Sequence, residues 1–308
     1  MSPSARTYLS QALNIMEKHS LLRHKVDWSD LRSRAYSQAR GAQKTADTYG
    51  AIASALNSLG DGHSVFWEPD VAKERYGASA VGLDGLEGRS LRNGVGYISL
   101  PGVQGSQEAY DQYVRQGRDA VAKAGAAEAC GWVVDLRSSV GGNMWPLLAV
   151  VGPILGDGKV GAFVDANGEE SVWSIRHGSP HVDGELVGWG DNQPLAGRTR
   201  PVAVLTSRQT ASAGEGVAVA FRGRPDTRSF GEQTNGVPTG NKPYRLSDGA
   251  VLVLTEVKDA DRTGRAYDAP MPPDTEIANN SRPAARNRDD VLKAAQSWLR
   301  RQAACRRP

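Results

Sequence analysis

The stretch RQTASAGEGVAVAFRG, residues 208–223, sets one hydroxyl, Ser212, ahead of a run of small residues. Ser212 and Glu215, three positions apart, fit a capping box at the start of a helix. A serine in that place has a second use, because the first amides of a helix lack partners and point outward. Such donors can hold the negative oxygen that develops when a carbonyl is attacked. Ala213 and Gly214 leave room for a substrate to reach that backbone. Helix cap and nucleophile are compatible readings of one residue.

A hydroxyl is a weak nucleophile until a base takes its proton. Five histidines could do so: His19, His24, His63, His177 and His181. His19 and His24 belong to polar helix ends. His177 and His181, in RHGSPH, suggest a metal pair, but no carboxylate or cysteine cluster completes a site, and neither a metal nor another cofactor is expected. His63 closes the turn SLGDGH, the kind of loop on which catalytic side chains are displayed. The loop DLRSSVGGNMWP adds Gly141 and Gly142 after an apolar strand, which lets backbone approach a ligand closely. It lacks the Lys-Ser/Thr and the spaced glycines of a phosphate cradle, which argues against nucleotide chemistry.

These residues need elements to hold them. Tyr8, Leu9, Ala12, Leu13 and Met16 recur at helical spacing, DWSDLRSRAYSQARGA restarts the pattern with Asp27 or Ser29 as cap, and TADTYGAIASALNSLG supplies a third helix. GVGYISL and GWVVDLRS read as strands on either side of the amphipathic helix QEAYDQYVRQGRDAVAKAG, a crossover unit. Hairpins are predicted at Asn167-Gly168 and Asp248-Gly249, a buried strand at RPVAVLTS and a closing helix in RPAARNRDDVLKAAQSWLRRQ. The expected fold class is α/β: a small helical bundle over residues 1–68, then a mixed core over 69–308.

A chain of 308 residues, 39% apolar and 23% charged, suits one large or two modest soluble domains. The net charge of +3 lies largely in the terminal RRQAACRRP, with no aromatic-interleaved basic stripe, so nucleic acid is not an expected partner. Cys130 and Cys305, 175 residues apart, are expected to form neither a metal framework nor a disulfide scaffold, Cys130 being a small core residue. No stretch is apolar enough for a signal peptide or a membrane span. The expected address is the cytoplasm as the sequence stands, or export if a leader precedes it.

Taken in order, SLGDGHSVF, GVGYISL, GWVVDLRSSVGGN, PVAVLTSRQTASAGE, GEQTNGVPTGN, LSDGAVLVLT and PPD resemble the tail-specific, or C-terminal processing, serine peptidases from about residue 55 to 278. The resemblance implies a ClpP/crotonase-like core, with Ser212 as nucleophile and Gly142 and the amide of Ala213 as oxyanion donors. One branch of that family places a lysine base 25 residues after the serine; here that position is Val237, and Lys242 comes five residues later. A second branch uses histidine, and its motif resembles GDGHS, which implies His63 as general base. The orienting carboxylate implied there is Asp268 in RAYDAPMPPD, with Glu215 as rival. About 30 residues separate His63 from GVGYI, too few for the PDZ domain common in the family, which needs on the order of 80 to 100 residues. The implied activity is peptide hydrolysis, on a peptide or protein tail. Two other readings stay open: an esterase or acyltransferase acting on a small acyl substrate, and a non-catalytic carrier of hydrophobic ligands.

Overall fold

The computed structural model describes residues 1–77, 83–125, 128–190, 200–278 and 289–306. Its α-helices are α1 (Pro3–His19), α2 (Trp28–Gln38), α3 (Tyr49–Asn57), α4 (Pro69–Gly77), α5 (Gln107–Lys123), α6 (Met144–Leu155), α7 (Ala213–Phe221) and α8 (Asp290–Arg300). The first seven strands are β1 (Val65–Trp67), β2 (Glu87–Leu91), β3 (Val95–Ser99), β4 (Gly131–Asp135), β5 (Gly158–Asp165), β6 (Glu170–Arg176) and β7 (Ser179–Val182). Those that follow are β8 (Glu185–Leu186), β9 (Val202–Thr206), β10 (Thr227–Gly231), β11 (Thr239–Arg245), β12 (Val251–Asp261), β13 (Ala266–Tyr267) and β14 (Thr275–Glu276). The chain divides into two compact units: residues 1–77 with 164–170 and 239–258, and residues 78–163 with 171–238 and 259–308.

In the first unit, α1 buries one stripe, Ala5, Tyr8, Leu9, Ala12, Leu13 and Met16. Asp27, one of the two expected caps, starts α2 by accepting the Asp30 amide at 3.0 Å. These helices and α3 share a core with Leu246, Ala250, Leu252 and Leu254 of the β11–β12 hairpin. Each fully buried leucine or isoleucine there contributes about 1.5–3 kcal/mol. The hairpin is antiparallel, and its register shifts between Gly240 and Asn241. Such a bulge re-aims side chains, and Thr239 and Asn241 on either side of it reach His63 below.

Asp248 ties this unit together. Its carboxylate accepts the hydroxyls of Tyr8 at 2.7 Å and Tyr49 at 2.6 Å. Burial works against its charge, yet the two hydroxyls and the Ala250 amide outweigh that and hold the carboxyl below the ordinary range. A folded-state value below the unfolded one stabilises the fold above the unfolded pKa, and that stability fades as pH falls through the folded value. Asp248→Ala strands two tyrosine hydroxyls, one of them on the buried Tyr8. It is expected to destabilise the protein by about 2–4 kcal/mol, read from the denaturation midpoint.

The second unit is built on a sheet of order β14-β10-β9-β4-β3-β2. Its pairs are parallel except β2 with β3. The expected strand–helix–strand unit is here β3, α5 and β4, with Val95 to Ser99 in register with Gly131 to Asp135. Both faces are covered, which is why these strands read as continuous apolar runs. Ile98, Trp132, Val134, Val202 and Val204 join α5, α6 and α7 in one core. The alternate residues Val95, Tyr97, Val133, Ala203 and Leu205 join Val291, Ala295 and Leu299 of α8 in another.

The cysteine expectation is corrected here. Cys130 and Cys305 form a disulfide, with Cα atoms 4.9 Å apart. Distance along the chain does not limit pairing once folding lays α8 against β4: Cys130 immediately precedes that strand and Cys305 follows that helix. Closing a loop of 175 residues restricts the unfolded chain by about 5 kcal/mol in the chain-entropy picture.

Candidate active site

In open α/β sheets, ligand sites form beyond the carboxyl ends of the strands. The neighbouring parallel strands β4 and β9 run into the two loops singled out from the sequence, 136–143 and 207–212. Buried polar bonds sew these loops together. Ser207 Oγ donates to the Arg137 carbonyl at 2.7 Å, Thr210 Oγ1 to that of Leu136 at 2.9 Å, and the Ala211 amide to that of Ser139 at 2.9 Å.

Ser212 is the N-cap of α7 and has φ 50° and ψ −114°. A non-glycine residue held there is strained, and such strain gathers at functional sites. The capping box is present, but its two halves differ. The Ser212 amide donates to Glu215 Oε2 at 2.9 Å, whereas Ser212 Oγ faces the helix start without closing a full hydrogen bond. The hydroxyl is therefore free to react while the backbone beneath it is held.

Glu215 does that holding. It is fully buried and also accepts Thr234 Oγ1 at 2.5 Å, the Gly236 amide at 2.8 Å and the Val237 amide at 2.9 Å. Four donors thus converge on this one carboxylate at the start of α7. Its bond to the Ser212 amide removes that donor from the helix start, leaving the Ala213 amide without an acceptor among the described residues.

The glycine pair stands beside this turn. A Cβ on Gly141 would lie 3.2 Å from Ser212 Cβ and 3.7 Å from Ser212 Oγ. Gly142 has φ 109°, and a Cβ there would lie 2.0 Å from the Val103 carbonyl oxygen. Only glycine fits. The next amide, Asn143, is taken by that same carbonyl at 2.8 Å, while the Gly142 amide has no acceptor among the described residues. Two unpaired amides flanking a half-buried hydroxyl can hold an oxyanion.

His63 belongs to the other compact unit and sits in a polar cage of its own. Asp61 Oδ1 accepts the His63 and Ser64 amides at 2.8 and 2.6 Å, an Asx turn that fixes the backbone. Asn241 Nδ2 donates to the His63 carbonyl at 3.2 Å, and Thr255 Oγ1 donates to Asn241 Oδ1 at 2.8 Å. At the ring, Nδ1 shares a hydrogen bond of 2.7 Å with Thr239 Oγ1. Burial lowers the His63 pKa below the ordinary imidazole value, offset only in part by the charge of Asp61.

Of the other expected residues, Asp268 is exposed just past β13. Val237 contributes its amide to Glu215, while Lys242 lies on β11 with its ammonium over the Tyr244 ring. His177 occupies a turn, and His181 on β7 bonds through Nδ1 to the Ser179 carbonyl at 3.0 Å. Thr239 and Asn241 were not singled out from the sequence. The only trace of them is the polar run VPTGN ahead of a strand.

A family model described as Peptidase family S41 matches residues 94–277. The nisin-resistance protein of Lactococcus lactis subsp. lactis is 26% identical over 285 residues, covering 92% of this chain and 86% of that protein. The solved structure of a lipoprotein from Streptococcus agalactiae superposes with a TM-score of 0.74 at 23% identity, over 97% of both chains. The photosystem II D1 C-terminal processing protease superposes with a TM-score of 0.65 at 17% identity, over 90% of this chain and 94% of that one. At these identities the structural matches speak for a shared fold.

Proposed function

The chain belongs to peptidase family S41, and from that premise we propose that it hydrolyses peptide bonds through an acyl-enzyme on Ser212. The observation that carries this reading is the strained Ser212 at the start of α7, beside the unpaired amides of Gly142 and Ala213. Ser212 Oγ attacks the scissile carbonyl, and the two amides receive the negative oxygen. His63 Nε2 takes the hydroxyl proton and returns it to the leaving amine. Water, deprotonated by the same imidazole, then frees the acyl group.

With Nδ1–H donating to Thr239, Nε2 carries the lone pair that this mechanism uses. We therefore assign the orienting part to Thr239 rather than to Asp268 or Glu215. The substrate is a peptide or protein tail. The Cys130–Cys305 bond supports an oxidising compartment, where such bonds persist. No helix among the described residues is long and apolar enough to cross a membrane.

Intact-mass analysis after treatment with a fluorophosphonate tests nucleophile and base together. Wild type gains one adduct, on Ser212, and His63→Ala reacts about 10²–10⁴ times more slowly. Equal labelling of wild type and Ser212→Ala would remove the reading. The base works as neutral imidazole, so the rate climbs with pH through a value below the ordinary histidine one and is on its plateau by neutrality. An acid limb centred above the ordinary value would contradict the cage described for His63.

A further inference from the structure

We propose that Arg137 is a positioning residue for the Gly141–Gly142 loop and that α8 is the brace it leans on. The inference rests on the acyl-transfer reading above. Arg137 opens the loop that follows β4 and stands between two carboxylates. It donates through Nε and Nη2 to Asp135 at 3.0 and 2.6 Å, and through Nη1 and Nη2 to Asp289 at 2.9 and 2.8 Å. Asp135 is held in turn by Tyr97, whose hydroxyl donates to Oδ2 at 2.9 Å.

Asp289 is the N-cap of α8, its Oδ1 accepting the Leu292 amide at 2.9 Å. One carboxylate thus starts the helix and clamps the guanidinium at the root of the loop. The helix is fastened again at its far end, where Cys305 is bonded to Cys130 at the start of the same strand. Its buried stripe, Val291, Ala295 and Leu299, lies on the sheet face opposite α6 and α7. The result is a strut pinned at both ends of β4.

The strut bears on the reacting groups through Arg137 itself. The Arg137 carbonyl accepts Ser207 Oγ, and two residues on, the Ser139 carbonyl accepts the Ala211 amide next to Ser212. A shift at Arg137 moves the glycine amides and the nucleophile loop relative to each other. Rate falls when these slip, while ground-state binding is spared.

Asparagine is as good an N-cap as aspartate but carries no charge, whereas glutamate keeps the charge and caps poorly. The pair of variants therefore separates the ion pair from the helix start. The readout is fluorophosphonate inactivation of the full chain, resolved into kinact and KI. Asp289→Asn is expected to lower kinact about tenfold or more with KI within twofold, and Asp289→Glu to recover most of the rate.

Excess dithiothreitol supplies two electrons and two protons to the Cys130–Cys305 bond, giving two thiols and closing itself to a cyclic disulfide. Reduction should lower wild-type kinact about threefold or more and leave a Cys130→Ser, Cys305→Ser variant unmoved. Kinact unchanged in Asp289→Asn, or a rate that follows capping so that Asn outperforms Glu, overturns the proposal; so does a wild type indifferent to reduction. Failure of wild type to label at Ser212 instead overturns the acyl-transfer reading on which it rests.

Discussion

Ser212→Ala yields a folded protein whose peptidase activity is reduced by a factor of about 10⁴–10⁶. The loss is of the nucleophile alone, because the side chain does little for the helix. Its cap bond is already open, and the stronger tie, Ser212 amide to Glu215, belongs to the backbone and survives. A serine cap removed outright costs about 0.5–2 kcal/mol, so the denaturation midpoint should fall by no more than the low end of that range. Alanine tolerates φ 50° no better than serine, which leaves the strain where it was. The measurement is turnover of a quenched peptide alongside thermal unfolding. A variant that keeps more than about one part in a hundred of the activity is incompatible with an acyl-enzyme on this residue.

The second large effect belongs to Gly142→Ala. The added methyl would stand 2.0 Å from the Val103 carbonyl oxygen, and both are backbone-bound, so no side chain can swing aside. The loop must move and carry the Gly142 amide away from the place where the oxyanion forms. Losing one such donor lowers kcat by about 10²–10³. KM should change little, since the donor acts on charge that develops only in the transition state. Gly142→Ala with full kcat would show that another amide does this work.

Much of the second unit is legible in the sequence. GVGYISL and GWVVDL are short apolar runs bounded by turn residues, and the helix between them has a clear stripe, so β3, α5 and β4 follow from local pattern. The capping box at Ser212 and the close backbone approach at Gly142 are legible for a related reason, since each is signalled within a few residues of its own loop. What escapes local pattern is contact at long range. Thr239 lies 176 residues from His63, and a threonine ahead of a strand carries no mark of its use. The disulfide is hidden in the same way. Glu215 was half legible: the spacing to Ser212 predicts the cap, whereas the donors from Thr234, Gly236 and Val237 depend on a loop some twenty residues on. The first compact unit likewise takes in residues 164–170 and 239–258, and nothing in those stretches announces it.

A hydroxyl, not a carboxylate, stands in contact with Nδ1 of His63. On the proposed mechanism the ring turns cationic midway, and the Thr239 dipole at Nδ1, with the charge of Asp61 offsetting burial only in part, offers less relief than a carboxylate bonded to that nitrogen would. Individual turnovers are then expected to be slow, and their speed to depend little on ionic strength.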